Sequence, residues 1–164
     1  MKILLISDTH NYVNNLTELL PRYSQEVGLV IHLGDYANDL MRFQSKYPHL
    51  NMIALDGGYD NGFETERILT LPVASEVEVK ILAVHGHLHG VKTNLQRLSY
   101  YAQEKQVNVC FFGHTHTSII FEEQGIFFMN PGSLTFPRNS RTGSYGIVEL
   151  SSEGMITGEI IGVN

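Results

Sequence analysis

Seven residues of types that bind divalent ions stand just after four of the chain's apolar runs. They are Asp8 and His10 in Ser7-Asp-Thr-His10, Asp35 in His32-Leu-Gly-Asp35, His85 and His87 in His85-Gly-His87, and His114 and His116 in Phe112-Gly-His-Thr-His116. Carboxylates mixed with imidazoles suit first-row divalent metals such as Mn, Fe, Co, Ni or Zn. In extended chain, residues i and i+2 point to the same side, roughly 6.5–7 Å apart. Paired ions in hydrolytic sites sit about 3.5–4 Å apart. His114 and His116 can therefore each take one ion of a pair. A carboxylate between the ions bridges them naturally because it has two oxygens, and Asp35 is the candidate.

The elements that must carry these residues follow from the apolar runs. Residues 3–6, 29–33, 51–55, 79–84 and 109–112 read as buried strands. A helix is expected from a cap at Asn14 or Asn15, with Leu16, Leu19, Leu20 and Tyr23 at helical spacing and Gly28 after its end. Further helices are expected at 39–47, stopped before Pro48, and at 92–106. After residue 112 the pattern turns to strands alone, at 117–122, 126–129, 145–150 and 155–161. This order predicts an α/β fold in which two sheets pack together, flanked by helices. Ligands of such sheets gather outside the carboxyl ends of the strands, where the Asp and His residues fall.

The 164 residues are 43% hydrophobic and 17% charged, as expected for one domain with its own core, spanning 1–164. The net charge of -6 comes without a basic stripe, which argues against a nucleic-acid groove binder. Metal ions could still supply positive charge locally for an anionic substrate. The first apolar stretch is too short for a signal-peptide core or a membrane span. Cys110 is the single cysteine, so no intrachain disulfide forms, and a cytoplasmic location is expected. Within its apolar run Cys110 reads as an inert core residue.

Taken in order, Ser7-Asp-Thr-His10, Gly34-Asp35, His85-Gly-His87 and Gly113-His-Thr-His116 resemble the motif set of the calcineurin-like metallophosphoesterase superfamily. The short chain and Asn130-Pro-Gly-Ser133 resemble its small bacterial YfcE-type phosphodiesterase branch. The resemblance covers nearly the whole chain. It implies a four-layer α-β-β-α sandwich of two mixed sheets and a binuclear metal centre. By resemblance, Asp8, His10 and His116 hold one metal, His85 and His114 the other, and Asp35 bridges. A hydroxide between the metals would attack the phosphorus of a small phosphate ester, most directly a diester. Mn²⁺ or Ni²⁺ are the implied activators, with Zn²⁺, Fe²⁺ or Co²⁺ as further choices. His87 would hydrogen-bond substrate or orient a neighbour. A small homo-oligomer is also implied, and no membrane partner.

The chain departs from the family pattern after the third strand. The family carries Gly-Asn there, followed by Cys-Asp or His-Asp, and the Asn is a ligand of the second metal. Leu55-Asp-Gly-Gly-Tyr-Asp60 places Gly58 at that ligand position and Tyr59 at the Cys or His position. Three consequences are open. The second site weakens; or Asp56, Asp60 or Asn61 replaces the ligand; or the fold is a non-catalytic, protein-binding scaffold, as in the retromer subunit that resembles this family. Phosphomonoesters and dinucleoside polyphosphates are the alternative substrates. Either Gly57 or Gly58 is expected to need positive φ. Tyr59 either stacks on a ring of the substrate or covers its loop, and Arg138 either meets a phosphate or lies exposed. His32 and His49 read as ordinary hydrogen-bonded residues, and His89 as a contact to the next helix.

Overall fold

The apolar runs build ten strands in a computed structural model that describes residues 1–163. One five-stranded sheet has the order β10-β9-β1-β2-β3. Its parallel centre is β1 (Lys2–Ile6), β2 (Leu29–His32) and β3 (Asn51–Ala54), and β9 (Ser144–Leu150) and β10 (Ile156–Gly162) extend it antiparallel. The second sheet has the order β4-β5-β6-β8-β7. Here β5 (Val77–Val84), β6 (Val109–Phe112) and β8 (Ile126–Asn130) run parallel, while β4 (Glu66–Ala74) and β7 (Ile119–Glu123) close the edges antiparallel.

Successive strand residues face opposite sides, which divides the core into three layers. Ile3, Leu5 and Ile31 of the first sheet meet Ile81, Phe111 and Met129 of the second between the sheets. Their neighbours Leu4, Ile6 and Val30 point outward to Leu16, Leu19, Leu20 and Tyr23 of α1 (Asn14–Tyr23) and Leu40 of α2 (Asn38–Met41). On the far side Leu82, Val84, Cys110 and Phe112 pack against Leu98 and Ala102 of α3 (Gln96–Glu104). The result is the expected four-layer α-β-β-α sandwich. Strands covered on both faces have no polar face, which is why β1, β2 and β6 read as continuous apolar runs.

Four expectations need correction. The helix expected at 39–47 is only the single turn of α2; beyond it, bonds such as Phe43 N–H to Leu40 O and Gln44 N–H to Met41 O span three residues instead of four. The helix expected at 92–106 begins at Gln96, because left-handed Gly90 (φ 67°) bends the chain after His89 and Asn94 Oδ1 accepts the Gln96 N–H. At α1 the cap position is Val13, and Asn15 instead donates its side chain to Leu134 O at 2.7 Å. Strand β4 has no counterpart in the sequence reading. It is an edge strand, half-exposed along its length, with Pro72 beside a bulge, a position that an edge tolerates. Among the described residues no helix is long and apolar enough to cross a membrane.

Candidate metal centre

Strands β1, β2, β5 and β6 end on one side of the sandwich, and the loops leaving them carry the Asp and His residues. These loops turn sharply. Asp8, His10, Asp35, Tyr36, His114 and His116 all have φ between 48° and 69°. Left-handed backbone is costly for residues with a Cβ and is maintained where the surroundings over-determine it. The two histidines of the β6 loop are therefore not in extended chain, as the i, i+2 argument assumed. Left-handed turns, rather than strand pleat, send them to different places.

Two glycines let the loops of the two sheets meet. Gly34 (φ 108°) lies where a Cβ would come within 2.7 Å of both His85 Nδ1 and Gly57 N. At Gly113 a Cβ would overlap Ser7 Oγ and press on Asp8 Oδ2 at 3.1 Å. Asn130 and Ser133 brace the same loops from behind: Asn130 donates to Gly113 O and Thr115 Oγ1, and Ser133 donates to Asp8 O.

The side chains form two sets of ligand-type atoms. Asp8, His10, Asp35 and His116 make one; Asp35, His85 and His114 make the other. In the first, His116 Nε2 lies 3.2 Å from Asp8 Oδ1 and 3.2 Å from His10 Nε2, and His10 Nε2 lies 3.9 Å from Asp35 Oδ2. In the second, His85 Nε2 lies 3.0 Å from His114 Nδ1 and 3.4 Å from Asp35 Oδ1. Bonds of about 2.0–2.2 Å to one ion place neighbouring donors roughly 3.0–3.5 Å apart, close to these spacings. Asp35 is common to both sets and turns one oxygen to each.

Hydrogen bonds fix which atoms face inward. His116 Nδ1–H donates to Phe136 O and His85 Nδ1–H donates to Leu33 O, both at 2.8 Å, because a carbonyl can only accept. In the neutral rings both Nε2 lone pairs then point at the carboxylates. Asp8 Oδ2 accepts from Ser7 Oγ and from the His114 N–H, whereas Asp8 Oδ1 is buried without a hydrogen-bond partner. Lone pairs facing carboxylate oxygens at these distances require a cation between them or protons on the rings. The donor set therefore fits divalent ions.

The electrostatics agree. Close contact with the Asp8 carboxylate raises the pKa of His116 despite burial. Burial works against charge on His85, but its hydrogen bond to Asp35 and the nearby Asp8 raise its pKa. Burial also opposes ionisation of Asp35, yet His85 and His10 hold its pKa well below the usual carboxylate range. His10 and His114 are lowered, chiefly by burial, His114 to about 4.

The remaining sequence candidates are distributed around this core. His87 starts a short 3-10 turn, His87–His89, and its ring lies 5.3 Å from that of His85. It belongs to neither set, and its Nδ1 is buried without a partner. His89 packs on Tyr101 of α3 at 4.9 Å. His32 is wholly buried: its Nδ1 accepts the Gly34 N–H, its Nε2–H donates to Thr9 Oγ1, and Thr9 in turn donates to Asp39 Oδ2, which also accepts the Asn11 N–H. This chain holds the β1 and β2 loops together behind the first set. Arg138 and Lys92 line a cavity of about 390 Å³ that opens beside Thr115, between the two ligand histidines.

The Asp56–Gly62 loop also differs from expectation. Neither Gly57 nor Gly58 has positive φ. Gly57 is required by close approach, since a Cβ there would overlap Asp35, but a Cβ on Gly58 would meet only Asp35 Oδ1, at 3.8 Å. Asp56 accepts the Gly62 and Phe63 N–H groups, and Asp60 those of Ala37 and Gly57. Both carboxylates are thus engaged by backbone N–H groups and absent from the ligand sets. Sequence reasoning missed Ser7, Asp39 and the carbonyls of Leu33 and Phe136. Backbone acceptors leave no trace in residue type, and Ser7 beside Asp8 reads as an ordinary turn.

Residues 1–153 match the Calcineurin-like phosphoesterase superfamily domain. The probable metallophosphoesterase YsnB of Bacillus subtilis is 35% identical over 156 residues, 93% of this chain and 86% of that protein. The phosphodiesterase YfcE of Escherichia coli K12 is 27% identical, with 91% and 88% covered. A solved predicted phosphoesterase from Streptococcus pneumoniae superposes with a TM-score of 0.74 at 26% identity, covering 99% of this chain and 97% of that one. A Vps29 mutant from Entamoeba histolytica has the same fold, with a TM-score of 0.74 at 20% identity and both chains fully covered.

Proposed function

The chain belongs to the calcineurin-like phosphoesterase superfamily, and from that premise we propose that it is a phosphodiesterase acting with two divalent metal ions. The observation that carries this reading is Asp35, whose two oxygens are divided between two ligand sets. Asp8, His10 and His116 would hold one ion, His85 and His114 the other, and Asp35 both, with Mn²⁺ or Ni²⁺ as the first choices. Such ions would supply positive charge against the phosphoryl oxygens and acidify the attacking water.

The chain's own groups do the rest. Leu33 O and Phe136 O hold the His85 and His116 rings with Nε2 inward, so the donors are oriented in advance. Ser7 and the His114 N–H take one oxygen of Asp8, leaving the other free to ligate. Burial holds His87 toward its neutral form, and with its ring 5.3 Å from that of His85 it would orient that neighbour. Arg138 and Lys92 add positive charge on one flank for an anionic ester. Gly58 leaves the second set with three donors against four in the first, so the second ion is the weaker. The whole chain would act as one metallophosphoesterase domain.

The test is metal content per chain by mass spectrometry before and after Mn²⁺ loading, with bis-p-nitrophenyl phosphate hydrolysis measured on the same sample. Two ions with turnover are expected. One ion or none without turnover would overturn the reading and favour the scaffold.

A further inference from the structure

The candidate centre has an aromatic wall on one flank only. The His10 ring is flanked by Tyr36 at 5.6 Å, Phe136 at 5.7 Å and Tyr59 at 5.8 Å, and Tyr12 stands edge-on to Phe136 at 5.2 Å. These rings come from separate loops, after β1, after β2, after β3 and between β8 and β9. They are exposed: Tyr59 is 72% accessible, Tyr12 57%, Phe136 47% and Tyr36 38%. Among the described residues the other exposed aromatics are Phe63 and Tyr100, so most of the exposed ring surface is gathered at this one place. Apolar surface concentrated beside a polar site marks a place where something docks.

Two further features tie the wall to the centre. Tyr36 is held at φ 69°, an unfavourable conformation for a bulky residue, next to Asp35 in sequence. The Tyr59 N–H donates to Asp35 Oδ1 at 3.3 Å, so the loop that presents Tyr59 is anchored on the residue shared by both ligand sets. Tyr36 and Tyr59 face each other nearly parallel, at 27° and 6.2 Å.

We propose that Tyr36, Tyr59 and Phe136 form a stacking subsite for a nucleobase, making small nucleotide phosphodiesters the substrate class. The inference rests on the phosphodiesterase reading above. A phosphate at the ligand sets leaves its ester substituent next to the rings on the His10 side. Flat π-faces recognise a flat ring irrespective of its hydrogen-bonding edge. A long single strand is not the occupant, because that requires a cationic track and this chain carries a net charge of -6.

The test is calorimetry of the Mn²⁺-loaded protein with thymidine 5′-monophosphate, ribose 5-phosphate and phosphocholine. Thymidine 5′-monophosphate is expected to bind roughly 5- to 100-fold tighter than ribose 5-phosphate, the range typical of a base stacked on an aromatic side chain. Tyr59→Ala should bring that ratio close to one without changing ribose 5-phosphate affinity, and Tyr59→Phe should preserve it. Equal affinities in a protein that still hydrolyses bis-p-nitrophenyl phosphate would overturn the subsite alone. Phosphocholine as the tightest ligand, sensitive to Tyr59→Ala, would also overturn it and make the rings a cage for a quaternary ammonium. No binding of ribose 5-phosphate together with no turnover would overturn the phosphodiesterase reading, and the subsite with it.

Discussion

The two ligand sets differ in how they are supported. The first has four donors, and behind it Ser7 holds Asp8 while the His32–Thr9–Asp39 chain ties the β1 and β2 loops together. The second has three donors, its buried ring is oriented by one carbonyl, and Gly58 leaves open space beside it. A centre can thus be asymmetric even when one carboxylate serves both halves. On the proposed reading the first half would bind its ion more tightly than the second.

The largest effect should come from removing what the halves share. Asp35→Asn is expected to lower kcat/KM by about a thousandfold, the scale of several kcal/mol of lost charge stabilisation, and to reduce bound metal in both sets. If activity and metal content survived together, Asp35 would not be the bridge. Ser7→Ala acts on the first half alone. Loss of an orienting hydrogen bond to a ligand should weaken the tighter Mn²⁺ site about 10- to 100-fold, leaving the weaker one unchanged in a two-site titration.

Gly58→Asn acts on the second half. A side chain fits there, with its Cβ 3.8 Å from Asp35 Oδ1. One added donor should tighten the weaker site about tenfold, some 1.4 kcal/mol. Gly58→Ala, which adds bulk but no donor, should leave it unchanged; equal effects of the two variants would mean that loop stiffness and not ligation is at work.

The last effect concerns the pH dependence of the metal-free protein. Burial lowers His32 to about 3, so below pH 6.5 the unfolded chain takes up a proton that the native chain refuses. His32 should therefore destabilise the metal-free protein progressively as pH falls from about 6.5 toward 3, by at most roughly tenfold in the folding equilibrium per pH unit. Replacing it in His32→Gln should flatten the pH dependence of urea denaturation across that window. An unchanged slope would show that the ligand histidines, not the network behind them, govern acid sensitivity.

Much of this centre was legible in the sequence because chemistry and position coincide. Asp and His at the ends of double-covered strands must lie at a sheet edge, and Asp8, Asp35, His85 and His114 do. What was not legible depends on backbone. The left-handed turns at His114 and His116, the carbonyl of Phe136 and the close approach at Gly57 are set by contacts across the fold, which residue type does not encode. Strand β4 was missed for a different reason. Leu69, Leu71 and Val73 alternate toward the core, but Ile68 lies on the exposed face and breaks that pattern, and Pro72 reads as a breaker. The aromatic wall, assembled from distant loops, has no local signature either.

Each ligand set draws on both sheets. His116 comes from the second sheet to join Asp8, His10 and Asp35 of the first, and Asp35 comes from the first to join His85 and His114 of the second. An ion in either set would therefore act as a rivet through the sandwich, and its binding energy would add to the cohesion of the two layers. The inter-sheet packing of Ile3, Ile81, Phe111 and Met129 would then set the spacing of the ligand sets. A slip of one sheet over the other would separate ligands that no local repair could bring back, so a core substitution far from any histidine should register first as a change in metal affinity.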